Sequence, residues 1–174
     1  MALVLALSMS AMAFADTAPT AEIPADTMQA FIDDTPEGYY LAGTNVVPID
    51  DEFTAFEAVY KPLIEPRYSL VTDYKTVYVY NEIIAANVVR SHLEGTFQYD
   101  GVTATCTKVL ASTNVLNNGV FPGYTIEITR QTPTRSGNHG YVDLIYNMCV
   151  GSVVYRTISN YKPTIACDPY GNVY

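Results

Sequence analysis

Between Val89 and Tyr99 the chain alternates strictly. Val89, Ser91, Leu93, Gly95, Phe97 and Tyr99 fall on one side, and Arg90, His92, Glu94, Thr96 and Gln98 on the other. A period of two is that of a strand with one face in a core and one in water. Asp100-Gly101 then supplies a hairpin turn, and Val102 to Val109 returns with Val102, Ala104 and Cys106 inward. The pattern recurs at Tyr124, Ile126 and Ile128, at Val142, Leu144, Tyr146 and Met148, and over Val153–Ser159 and Thr164–Cys167. Tyr74 to Tyr80, YKTVYVY, is rich in β-formers. Short strands set apart by turns predict an all-β fold, an antiparallel β-sandwich. Residues 133–140, PTRSGNHG, read as a polar loop, as does Asn117-Asn118-Gly119. For Glu82 to Val89 a helix stays open, because IIAANVV has no clear period.

The chain upstream reads differently. Thirteen of the first fifteen residues are apolar, none is charged, and the stretch ends Ala13-Phe14-Ala15. An apolar run of this length closed by A-x-A is the pattern of a signal peptide. It is shorter than the roughly 20 residues that span a bilayer. Residues 1–15 are therefore expected to direct export, leaving a secreted, extracellular chain that starts near Asp16 and has no transmembrane segment. Residues 16–37 carry Pro19, Pro24 and Pro36 with little apolar surface, and predict a mobile, disordered acidic leader. Thr27 to Ile32 is a helical turn or docking segment within it. Residues 38–174 then form the β-sandwich domain, with 38–66 peripheral: a strand over 39–48 and a short helix over 50–61. In that helix Phe53, Phe56, Val59 and Tyr60 share a face, Asp50 caps, and Pro62 stops.

Charge divides along the same line. Residues 16–60 hold ten acidic side chains and no basic one; residues 61–174 hold eight acidic and nine basic. The overall net charge of −9 argues against a nucleic-acid partner. Yet residues 61–174 alone are nearly neutral, and Arg90, Lys108, Arg130, Arg135 and Arg156 can gather on one side of them. The acidic segment is expected to lie against that side or to stay mobile.

Candidate chemistry is sparse. Asp50-Asp51-Glu52 lacks the spacing of a calcium loop and reads as a solvated helix start. No C-x-x-C or paired-His spacing suggests zinc, no phosphate-binding loop occurs, and no cofactor is expected. An exported chain with three Cys allows one disulfide. Cys106 and Cys167 point inward with their neighbours, whereas Cys149 points outward on an unbulged strand, so Cys106–Cys167 is favoured over the other two pairings. His92 sits on a polar strand face. His139, between Ser136 and Asp143, has triad residue types without the nucleophile-elbow motif. Glu94, Glu127 and Asp143 are scattered on polar faces. The surplus is tyrosine, fifteen against six Phe and no Trp. Tyr74, Tyr78 and Tyr80 share one strand face. Turned outward, they form a stripe that stacks on sugars or anchors a protein. Turned inward, they line the core with hydroxyls at its rim.

The stretch Glu94 to Lys108, EGTFQYDGVTATCTK, the loop SGNHG and the ending TIACDPYGNVY together resemble small secreted β-sandwich proteins of Gram-positive bacteria. The resemblance covers about residues 90–174. It implies export and an all-β fold, and carries no active-site residue. The reading that follows is a secreted, non-catalytic protein binding a protein or glycan at the cell surface. The alternative is an extracellular hydrolase whose site is assembled from carboxylates or His139. A third reading makes the acidic leader a pro-segment.

Overall fold

The computed structural model describes residues 22–64, 69–116 and 124–174. Residues 1–15, where the signal peptide is expected, and the first part of the acidic leader lie outside them, as does Asn117-Asn118-Gly119. The element order is α1 (Ala25–Asp33), β1 (Tyr39–Pro48), β2 (Phe53–Pro62), β3 (Leu70–Asn81), β4 (Ala86–Tyr99), β5 (Ala104–Val115), β6 (Tyr124–Ser136), β7 (His139–Val150), β8 (Val153–Ile158) and β9 (Thr164–Ala166). Strands β1 to β5 form one antiparallel meander. Strands β6, β7 and β8 form the second sheet, where β9 also pairs with β7, at the end of β7 away from β8. The two sheets enclose the main core, so the expected all-β sandwich is the architecture.

The alternation of β4 holds from Val89 to Phe97. Val89, Ser91, Leu93 and Phe97 are buried and Arg90, His92, Glu94 and Thr96 between them are partly exposed, while Val88, at a shift in the β3–β4 register, is buried beside Val89. Val142, Leu144, Tyr146 and Met148 of β7 are buried as their period requires. Two local expectations fail, and one reading left open is decided. Val102 lies in the turn before β5 and is exposed. The polar stretch 133–140 is no open loop: β6 and β7 run through it, and Gly137, at φ 58°, helps turn a tight hairpin. Residues 82–85 are a turn, and β4 begins at Ala86, so no helix forms over 82–89.

The largest correction is Asp50 to Lys61, where a turn and strand β2 stand in place of the expected helix. Phe53 and Ala55 face the main core, while Phe56, Ala58 and Tyr60 face the other way and are equally buried. A strand covered on both faces has no reason to alternate, so its apolar residues show no period of two. Asp50 still caps, but it caps a β-turn: its Oδ1 accepts the amides of Glu52 and Phe53, each at 2.9 Å. Asp50, Asp51 and Glu52 are not simply solvated either, for Arg156 of β8 bonds all three, at 2.9, 3.3 and 2.7 Å.

What covers the second face of β2 is α1. Residues 25–33 are therefore ordered helix, not disordered leader. Thr27 and Phe31, one helical turn apart, are fully buried, Phe31 in one cluster with Phe56, Tyr60 and Tyr78 and Thr27 hydrogen-bonded to Asn87 of β4. The Tyr60 hydroxyl donates to the Phe31 carbonyl at 2.8 Å. Asp34, at the helix C-terminus, accepts the Tyr78 hydroxyl at 2.6 Å and pairs with Arg90 at 3.2 Å. The molecule is thus three layers: helix, five-stranded sheet, second sheet.

Candidate functional site

The tyrosine stripe faces outward but is not open. Tyr78 lies beneath α1 with its ring edge-on to Phe31, at 5.2 Å between centroids. Tyr80 packs edge-on to Phe56, and Tyr74 to Tyr39. Tyr78 is therefore a seat for the chain's own helix, while Tyr74 and Tyr80 are half-buried against rings of β1 and β2, so the three do not form one open face. Burial raises the Tyr78 hydroxyl above its ordinary pKa, and the accepting Asp34 carboxylate adds to this.

The cysteines are free thiols. Cys106 and Cys167 point inward as expected. Each sulfur donates to a main-chain carbonyl at 3.3 Å, Cys106 to Lys108 and Cys167 to Asp168, and no bridge joins them. The β6–β7 hairpin reaches both: the Cys106 amide bonds Gly137 and the Cys167 amide bonds Asn138. Burial raises the thiol pKa of both, of Cys167 to about 11, which holds them as inert thiols. Cys149 is buried, not exposed. The β7–β8 register slips there, but the residue skipped is Tyr155 of β8, so β7 is unbulged and Cys149 is buried outside the main core.

The other catalytic candidates are apart. His139 is exposed beside a shallow groove shared with Ser136 and Lys162. Asp143 is held by Arg130 and Lys162, each at 3.0 Å, and these cations draw its carboxyl below the usual range. Glu94 pairs with Lys108 at 2.8 Å, and Glu127 is exposed. His92 binds the Thr76 hydroxyl through Nδ1 at 2.9 Å, and burial lowers its pKa. Arg90, Lys108, Arg130, Arg135 and Arg156 do not gather as one set; four meet separate acids, and Arg135, which shares a shallow groove with Lys108, donates to the Thr107 carbonyl.

The concave feature of the molecule lies elsewhere. The first sheet has five strands and the second only three across, so the inner face of β1 to β3 projects past the strands opposite. Tyr161 and Thr164 reach this overhang through Glu57 and Lys75, and the segment 170–174 borders it. Along that border lies a cleft of two lobes that share Tyr40 and Lys61. The first, about 530 Å³, is floored by Glu57 and Lys75. These pair at 3.0 Å with both side chains 9% exposed. Tyr161 donates to Glu57 at 2.5 Å, Asn45 at 3.4 Å, and Lys75 donates to the Thr164 carbonyl at 2.8 Å. Both buried charges of this floor are met, as burial demands.

The second lobe, about 290 Å³, is bounded by Asp73, Lys61, Tyr40, Tyr99 and Tyr170. Asp73 is 1% exposed, and its Oδ1 has no hydrogen-bond partner. Burial raises its carboxyl to a pKa of about 6, against the pull of Lys61. The ring of Tyr99 lies on Gly171, where a Cβ would stand 2.5 Å from it, and Gly171 holds φ 88°. A glycine is needed there on both counts.

These residues were missed at the sequence level, although a signal existed. Val71, Asp73, Lys75, Val77 and Val79 share one parity, so an acid and a base interrupt an apolar strand face. Glu57 was hidden by its expected place on a helix. No group of His, Cys, Asp and Glu among the described residues forms a metal site. No described helix is long and apolar enough to cross a membrane. No protein-family model, curated protein or solved structure matches the chain.

Proposed function

We propose that this is an exported, non-catalytic binding protein that seats its ligand in the cleft at the open edge of the sandwich. The observation that carries this reading is how the cleft's charges are arranged. Glu57 is committed to Lys75, Tyr161 and Asn45, so it is no free base. Asp73 sits four residues along β3 from Val77, the cross-strand partner of Glu57. That is about 13 Å along the sheet, beyond the roughly 5–10 Å of a cooperating carboxyl pair. The cleft thus offers a shaped, polar, aromatic-rimmed surface without an acid–base couple. Export rests on the apolar run 1–15 and Ala13-Phe14-Ala15.

Amide shift mapping on the labelled protein tests the reading, with oligosaccharides and extended peptides as probes. Changes centred on Tyr40, Asn45 and Lys61 are expected. Turnover of glycoside, ester or peptide substrates that is lost on replacing Asp73, Glu57 or His139 would overturn it in favour of the hydrolase.

A further inference from the structure

Asp73 is an anomaly in a protein that otherwise partners its buried charges. Glu57 and Lys75, on the same inner face, have four polar contacts between them and their neighbours. Asp73 is more deeply buried than either, yet its Oδ1 has none. A buried acceptor left unmet keeps its desolvation penalty with nothing to offset it, more so if charged. The Tyr146 hydroxyl is also unmet but lies in the main core, whereas Asp73 lines a cleft that a hydrogen-bond donor can enter.

The surroundings define what arrives. The lobe that Asp73 lines is mostly polar in its charged groups but walled by rings: Tyr40, Tyr99 and Tyr170. Tyr40 and Tyr170 are 46% and 75% exposed, so their faces are available to a ligand. Lys61 supplies a positive charge beside the carboxyl, and across both lobes two acids face two lysines. A cationic ligand would meet Lys61, and an anionic one would meet Asp73. A neutral ligand rich in hydroxyl donors and bearing apolar C–H faces fits each element: hydroxyls for the carboxyl, C–H faces for the rings. We infer that the Asp73 lobe is a saccharide subsite for a neutral oligosaccharide, with Asp73 accepting a sugar hydroxyl and Tyr40 and Tyr170 stacking on the rings. The continuation of the lobe past Tyr40 into the larger one gives room for further units. This inference rests on the cleft-binding reading and names its ligand class.

The test is titration of the full chain with soluble neutral oligosaccharides of two to four hexose or N-acetylhexosamine units. Calorimetry and amide shift mapping are read together. Binding is expected, with shifts at Asp73, Tyr40, Tyr99 and Tyr170. Asp73→Ala and Tyr170→Ala should each weaken it about tenfold or more. Tyr170 is exposed, so its removal leaves folding intact, and loss of an unmet buried carboxyl does not threaten folding either. Absence of binding by every sugar overturns the inference. If extended peptides then shift the same cleft residues, only the saccharide assignment has failed. If sugars bind but shift residues outside the cleft, both the assignment and the cleft reading have failed.

Discussion

At the residue scale, Asp73 and the Glu57–Lys75 pair are opposite solutions to one problem. The pair is buried and fully met. Lys75→Met would leave Glu57 uncompensated and is expected to cost about 3 kcal/mol. The double replacement Glu57→Leu/Lys75→Met should recover most of that, which urea unfolding of the three proteins checks. Asp73 has no such partner, and burial raises its carboxyl to about pH 6 in the folded state from an ordinary 3.8. A raised acid favours folding least when ionised. Its penalty is absent below about pH 4, grows as pH rises toward 6, and is constant above. Asp73→Asn should therefore be more stable than the parent at pH 7 by up to about 3 kcal/mol. The difference should vanish near pH 3; a difference independent of pH would refute the account.

At the scale of elements, α1 and β2 explain each other. β2 sends Phe53 and Ala55 inward and Phe56, Ala58 and Tyr60 outward, and the outward set needs a cover. Phe31 provides its centre, so Phe31→Ala should cost about 3–5 kcal/mol. Removing residues 22–35 should cost at least as much and raise amide exchange along β2 and β3. Unchanged exchange would mean that the helix contributes nothing to the sheet beneath it. A further element-scale prediction concerns the border of the cleft. Gly171→Ala forces a side chain at φ 88° and into the Tyr99 ring. It should lower Tm and shift the resonances of Tyr99 and Asp73, leaving α1 unaffected.

At the scale of the molecule, the unequal width of the two sheets makes the cleft. Five strands face three, and the uncovered margin is bordered by irregular chain. Charge follows the layers too. The acidic segment 22–60 does not float: Asp34 meets Arg90 on the outer face, and Asp50, Asp51 and Glu52 meet Arg156 across the sandwich edge. The net −9 is thus partly spent on joining layers, and most of the domain's cations are matched by separate local acids. Salt should weaken the exposed pairs first, Arg130–Asp143 and Lys108–Glu94, and leave Glu57–Lys75 largely untouched.

The sequence by itself determined the class of fold and the strands with one wet face. In β4 and β7 burial and exposure alternate, and the alternation is written in residue types. It also marked β1 from Tyr39 to its end at Pro48. It did not reveal β2, because a strand dry on both faces has no period to read, and its apolar spacing mimics a helix. It showed Asp73 and Lys75 breaking an apolar face but not what they meet. That depends on Glu57 from another strand and on Tyr161 and Thr164 from more than eighty residues away. The tyrosine stripe was legible as a stripe, while its occupant was not, since contact between α1 and β3 is a matter of tertiary packing. Only the folded chain, by setting a wide sheet against a narrow one, decided where a cleft would open and which carboxyl would stand in it unmet.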